Sequence, residues 1–440
     1  MANVRPNNLE SLWMPFTANR EFKKDPRIIT GAKGMYYYSD DGREILDSAA
    51  GLWASNLSHC RKEIQEAVSK QLEVLDYSPP FQFSHPGAHL LANRLTQEIF
   101  PEKMNHVFFS NSGSEAVESG LKIALAYQRS RGMGSKTRLL SSEMGYHGTN
   151  GFGTAVGGMP KNRMHYSQLV NGVDHVPNHY NHELNAYSRG QPKHGKNLAE
   201  DLEKLIQLHH ADSIAAFIIE PVKGSAGVFP PPVGYLERIR EICTQHDILL
   251  IFDETITAFG RLGKATASEY FNITPDIITC AKAITNATVP MGATICQDYI
   301  YESVVENSKT PIELFHGYTY SSHNLACASA IACLDIYKNE NIFEYAAKMA
   351  PLFEEAVHNL KGTKHVMDIR NLGLMASVQL EEIEGAPGKR GFNAMKKCWE
   401  NGLYVRFNGS TAAFSPPLVL KESHIDEMFS KFRKVLEQLD

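Results

Sequence analysis

Long apolar runs are missing from this sequence. Nothing in its 440 residues approaches the roughly 20 consecutive apolar positions that a helix needs to cross a bilayer. The opening stretch, MANVRPNNLESLWMPF, lacks the basic start and apolar stretch of a secretory signal. Positive charge is not in excess either. A formal net charge of −5 gives no reason to expect nucleic acid or an anionic membrane as partner. The seven cysteines, Cys60, Cys243, Cys280, Cys296, Cys327, Cys333 and Cys398, are odd in number and scattered, and none is spaced CxxC. They read as reduced, mostly buried thiols of a cytoplasmic protein. No HExxH motif, GK[ST] loop, GxGxxG turn, internal repeat or Ser/His/Asp set stands out. In DHVPNHYNHE, His175, His179 and His182 have no cysteine or HExxH partner, and the Asn and Pro around them read as surface loop, so no metal site is expected.

What is present is an alternation. With 43% apolar and 21% charged residues the chain has the balance of a globular protein large enough for a sizeable core. Short apolar runs, HVFF at 106–109, SIAAFIIE at 213–220, DILLIFDE at 247–254 and DIITCAK at 276–282, are interleaved with helical periods. Val117, Leu121, Ala124 and Tyr127 share one helical face, as do Leu236, Ile239 and Ile242. Unbroken apolar strands alternating with helices predict an α/β fold, a mostly parallel sheet covered on both faces. The end of the chain differs. It reads as one amphipathic helix over 338–361, strands with a Gly turn in VMDIRNLGLMASVQLE, a helix over 388–401 and a strand over 403–406. A last helix follows, opened by a Ser423 cap and an acidic first turn. The expected division is a large domain over 66–330 and a small α+β domain over 331–440, to which residues 1–65 contribute.

Three successive apolar runs end in ionisable residues, Glu220, Asp253 and Lys282. Open parallel sheets bind ligands beyond the carboxyl ends of their strands. A buried ion cluster would account for any one of these charges, but three at three strand ends favour a site. Lys282 has no acidic neighbour in sequence. Either a partner comes from elsewhere in the chain or the amine works neutral, as base or nucleophile. Phe109 is followed by Ser110-Asn111-Ser112-Gly113-Ser114-Glu115 at the start of a helix. Such a turn offers free N–H groups and a positive dipole end to a phosphate. Pyridoxal 5'-phosphate meets each demand: its aldehyde suits a lysine, its ring nitrogen an acid, its phosphate a helix N-terminus.

The motifs FSNSGSEAVE, GYHG (145–148), IIEPVKGSAGV, IFDETITAFGRLG, AKAITNATVPMGA and HGYTYSSHNLACA together resemble the class III aminotransferases, which have the PLP-dependent fold type I architecture. LWMPFTANREF, LDSAAGLWASN, DYSPPFQFSHP and GLYVRFNG are similar to the ω-amino acid:pyruvate, or β-alanine:pyruvate, members. The resemblance runs in order from about residue 10 to 435. It implies a central seven-stranded sheet and ping-pong transfer of an amino group from an ω-amine to pyruvate. It also implies a homodimer, with pairing into a tetramer left open.

Residue by residue, Lys282 would bind the cofactor covalently and shuttle a proton, and Asp253 would hold the ring nitrogen protonated. Ser112, Gly113 and Ser114 would receive the phosphate, with Thr319 reaching it from the neighbouring subunit. Tyr146 and His147 of GYHG would border the ring, with Thr255 on the opposite face where the family usually carries valine. Glu220 would meet the cofactor's phenolic side or a mobile arginine. Arg406 would take the substrate carboxylate, Trp53 would line the entrance, and Phe81 would line it or serve the core. Other departures from the family pattern are Ala258, Leu262, Ser322-His323-Asn324 and Asn408-Gly409-Ser410. A taurine or diamine transaminase, an aminomutase or a racemase would share the lysine and aspartate. A non-catalytic relative would be marked by their loss, and both are present.

Overall fold

The computed structural model describes residues 8–166 and 169–440. Its central sheet is built from β1 (His106–Ser110), β2 (Arg138–Ser142), β3 (Val173–Val176), β4 (Ile214–Ile219), β5 (Leu249–Asp253), β6 (Ile277–Cys280) and β7 (Gly292–Cys296). The strands lie in the order β1-β7-β6-β5-β4-β2-β3. Only β7 runs against its neighbours, so the seven-stranded, mostly parallel sheet is the one expected. Every residue of β4, β5 and β6 is buried, which is why these strands read as unbroken apolar runs. The pleat divides β5 between two cores. Leu250 and Phe252 join Ile239 and Ile242 of the helix Tyr235–Gln245 on one face. Leu249 and Ile251 join Val117 and Leu121 of the helix Gly113–Ser130 on the other.

Two four-stranded sheets lie outside this one. In the first, Ile29–Lys33, Tyr36–Ser39 and Glu44–Asp47 are completed by Leu403–Tyr404, which pairs parallel with Glu44–Asp47 and so ties the two ends of the chain together. The second is antiparallel, with Val366–Leu372, Met375–Leu380, Thr411–Phe414 and Arg406–Asn408 in that order. Among the described residues no helix is long and apolar enough to cross a membrane.

Three local expectations need correction. The helix foreseen over 338–361 is parts of two, Asn324–Asn339 and Ile342–His358, broken where Asn341 takes a left-handed conformation. The strand foreseen over 403–406 splits at Val405, so that Leu403–Tyr404 belongs to one sheet and Arg406–Asn408 to the other. Ser423 does not cap the last helix. It lies within the first turn, the cap position is Lys421, and His424 Nδ1 accepts the Lys421 N–H at 3.0 Å.

The turn after β4 is bolted to the second small sheet by a buried arginine. Arg370 pairs with the Asp368 carboxylate and donates to Gln379 Oε1 at 2.9 Å and to the Gly227 carbonyl at 2.9 Å. The rings of Phe229 and Tyr180 lie 4.4 and 5.1 Å from its guanidinium carbon. Arg370→Leu leaves Asp368 buried without its cation. We expect a loss of about 3–5 kcal/mol, read as a lower urea midpoint, with partial recovery on adding Asp368→Leu.

Candidate active site

Beyond the carboxyl ends of the central strands lies a cavity of about 350 Å³, lined among others by Gly113, Ser114, Tyr146, Asp253, Thr255 and Lys282. Its floor is the start of the helix Gly113–Ser130. The cap Ser112 accepts the Glu115 N–H at 3.2 Å, and the Glu115 carboxylate reaches back to Asn111 N (2.8 Å) and Nδ2 (2.9 Å). This reciprocal arrangement satisfies the N–H at the third helical position. The amides of Gly113 and Ser114, in the first two, have no helix carbonyl to bond and stand at the positive end of the dipole. Gly113 is required by contact: a Cβ there would meet Thr255 Cγ2 at 2.9 Å. Its absence lets the helix end close against the tip of β5.

Asp253 ends β5, 4% exposed. One carboxylate oxygen lies 2.8 Å from His147 Nδ1; the other accepts Thr255 N–H at 3.1 Å and the Thr279 hydroxyl at 3.2 Å. Burial pushes this carboxyl up, but His147 and Thr255 outweigh it and hold the group below its ordinary value. Glu220 is buried too, and backbone occupies both of its oxygens, Tyr146 N–H at 2.8 Å and Gly224 N–H at 3.0 Å. Burial raises its pKa, with Asp253 adding to the rise. Its visible task is to pin the Tyr146 loop to the turn after β4.

Lys282 follows β6 with φ +50, in the left-handed region. Burial lowers its pKa to about 8 against the pull of Asp253 and Glu220, and its amine makes no ion pair among the described residues. A lysine held this way is partly neutral near physiological pH and suits a nucleophile or proton carrier.

The remaining candidates do not all converge on this cavity. Trp53 is 4% exposed, in an apolar cluster with Val222 and Ile256, while Leu52 beside it is 58% exposed and lines the cavity. The backbone turns left-handed at Ala50, Gly51 and Trp53, held by Asp47, which accepts Ala49 N–H at 2.9 Å and Gly51 N–H at 2.7 Å. Arg406 is exposed on an outer strand of the second small sheet, near enough for its charge to act on the Tyr146 phenol. Thr319 is exposed and does not line the cavity of its own chain. Phe81 lies against Gly317 in the same neighbourhood, exposed as well.

The family description Aminotransferase class-III matches residues 17–436. The chain belongs to the class III aminotransferases. It is similar to an omega-aminotransferase of Caulobacter vibrioides, 49% identical over the whole of both chains. A beta-alanine–pyruvate aminotransferase of Pseudomonas aeruginosa is 48% identical over 98% of this chain and 96% of its own. Among solved structures, the omega transaminase of Pseudomonas jessenii in complex with PMP has TM-score 0.92 at 31% identity, covering 97% of this chain and 96% of its own. An amine transaminase from an uncultivated Pseudomonas species in the PLP-bound form has TM-score 0.91 at 33% identity, covering 99% of this chain and 100% of its own.

The cofactor of this class III aminotransferase is pyridoxal phosphate, and the residues present fit it. One side of the cavity offers a lysine amine with no counterion, another a carboxylate kept ionised in a buried place. The floor offers the two amides at the helix start, with Gly113 where an added Cβ would press on Thr255 Cγ2. Sequence reading did not single out Thr279, which bonds Asp253, or Leu52 and Ala287, which line the cavity. Thr279 is the register partner of Asp253 across the β5–β6 pair, a relation that a strand alignment carries and a motif does not.

The lowered pKa of Lys282 has a stability consequence in the cofactor-free enzyme. Below about pH 8 the lysine is charged in both the folded and unfolded chain and the fold bears its burial; above 10.5 it is neutral in both. Lys282→Met should therefore raise the melting temperature of the cofactor-free protein at pH 7, and the gain should fade between about pH 8 and 10.5. Calorimetry across that range checks the sign.

Proposed function

We propose that this aminotransferase moves the amino group of an ω-amino acid such as β-alanine to pyruvate, in two half-reactions, giving an oxo acid or aldehyde and L-alanine. The observation that carries the reading is that the Lys282 amine and the Asp253 carboxylate line one cavity, each biased toward the protonation state the exchange requires. The relatives that share about half of the sequence support the choice of substrates. One is the beta-alanine–pyruvate enzyme, and an omega-amino acid–pyruvate aminotransferase of Pseudomonas putida is 47% identical over 98% of this chain and 96% of its own.

Bound here, pyridoxal phosphate supplies an electron-poor ring that makes a proton on the donor's nitrogen-bearing carbon removable. The chain's residues do the rest. Asp253, fixed by His147, Thr255 and Thr279, would hold the ring nitrogen with its negative charge. Lys282, lining the cavity with its pKa lowered, would hold the cofactor's aldehyde and carry a proton from the donor's carbon. Gly113 and Ser114 would hold the phosphate with their amides, and Tyr146, on a loop that Glu220 anchors, would cover the ring. Arg406 pairs bidentately with the carboxylate of pyruvate or of the donor and turns outward for a donor that has none.

We place the enzyme in the cytoplasm as a homodimer. All seven thiols are free and only Cys60 is exposed. The support for the dimer is the position of Thr319, exposed on a segment built to project it. Tyr77 Oη donates to its carbonyl at 3.0 Å, and the Tyr318 hydroxyl bonds the Glu115 carbonyl at 3.2 Å. Phe315 and Tyr320 of the same segment, and Phe81 against Gly317, are exposed as well, apolar surface that a second copy would cover.

Two experiments test this. The visible band of the purified holoenzyme should be lost on adding β-alanine and return on adding pyruvate; a band that β-alanine leaves untouched would overturn the donor assignment. Thr319→Ala and Lys282→Ala chains should each be inactive alone at limiting cofactor, yet regain activity when their dimers are dissociated and mixed. The mixed dimer then carries one site with both residues intact. If Thr319 served its own subunit, mixing would restore nothing.

A further inference from the structure

The loop after Lys282 carries a feature that the chemistry above does not use. Asn286 (φ +52) and Ala287 (φ +58) are two successive left-handed residues. Asparagine adopts that region readily. Alanine does not, because its Cβ crowds the carbonyl oxygen and no side-chain polar group compensates. Strain of this kind persists only where the surroundings impose it.

Here they do. The Asn286 side chain is buried, its Oδ1 accepting Leu57 N–H at 2.8 Å and its Nδ2 donating to the Ser58 carbonyl at 2.8 Å. The Thr285 hydroxyl bonds the Val289 carbonyl at 2.6 Å, and Ala287 N–H reaches the Lys282 carbonyl at 3.3 Å. Leu57 and Ser58 continue the segment whose Leu52 and Ala54 line the cavity, while Thr285, Ala287, Pro290 and Met291 line it from the lysine loop. Asn286 is thus a clasp between two walls of one cavity. Ala287 lines the cavity and is exposed, on a turn that these hydrogen bonds hold.

From this we infer that Ala287 is a specificity-determining residue: its methyl, fixed by the Asn286 clasp, limits the bulk an amine donor can bring into the cavity. The inference rests on the transaminase reading above, so the test separates the two. Ala287→Gly removes the methyl, and Ala287→Asn adds bulk in a residue that tolerates the same backbone. The ratio of kcat/KM for 1-phenylethylamine to that for β-alanine should rise about tenfold in the glycine variant and fall about tenfold in the asparagine variant. Melting temperatures of both variants without cofactor should be no lower than the parent's. A ratio that stays unchanged, or moves the same way in both variants, would overturn the inference, as would a glycine variant that melts earlier. A second pair of probes, O-methylhydroxylamine and O-benzylhydroxylamine, needs only the lysine-bound cofactor; their relative rates of bleaching the visible band should move in the same sense. If the parent turned over neither amine, the functional reading would fall, and the hydroxylamine ratio would still decide the part played by Ala287.

Discussion

A carboxylate buried where water cannot solvate it is the constraint on which the arrangement around the cavity depends. Leaving such a group ionised costs several kcal/mol unless hydrogen bonds replace the lost solvent. Asp253 finds them on three elements: His147 from the loop after β2, Thr279 from β6, and the amide of Thr255 in its own turn. Each donor has to be held in turn. The loop bearing His147 is fixed by Glu220 at the end of β4 through the Tyr146 amide. Glu220 also grips Gly224, and the Gly227 carbonyl a few residues on is taken by Arg370 of the second small sheet. Stabilising one charge therefore connects the ends of four central strands to an outer sheet.

Buried Lys223 and half-buried Lys282 show how a fold distinguishes a structural cation from a working one. Lys223 is enclosed and its pKa is lowered to about 7, first by burial. Its amine donates to the Glu143 carbonyl and to Asn178 Oδ1, each at 2.8 Å, so its hydrogen-bonding capacity is largely used. Arg261, fully buried as well, is met by the carbonyls of Leu374 and Pro416 and by Asn56, and it joins the large sheet's loops to the outer ones. Lys282 lies under comparable desolvation and has no such partners. It faces a cavity instead. Burial alone does not mark a site; burial with unspent bonding capacity and an open volume does.

Much of this could be read from the chain. Strands β4, β5 and β6 are buried on both faces, so they appear as unbroken apolar runs, and the charged residue that ends each run locates the site without structure. Where reading failed, the deciding contact was distant in sequence or purely conformational. The break at Asn341 rests on one left-handed residue inside a continuous helical period. The division of 403–406 rests on which neighbours accept each half: Glu44–Asp47 pairs with the first and Thr411–Phe414 with the second. Trp53 turns inward because Asp47 folds the 49–51 backbone around its carboxylate. Nothing local to these segments announces such partners.

Left-handed residues gather in the two segments that contribute to the cavity: Ala50, Trp53 and Ser58 in one, Lys282, Asn286 and Ala287 in the other. Strain of order 1 kcal/mol or more at each survives only because the neighbours overdetermine the backbone, so both walls are rigid. An enzyme that admits an amine and a keto acid in turn has to accommodate two shapes in one space. On the proposed reaction, walls clasped through Asn286 do not supply that adaptation. On that reading Arg406 would, because it stands exposed on an outer strand and makes no ion pair among the described residues. Rigidity of the walls and freedom of the arginine are complementary requirements. The first fixes which donors enter; the second lets one site serve both halves of the exchange.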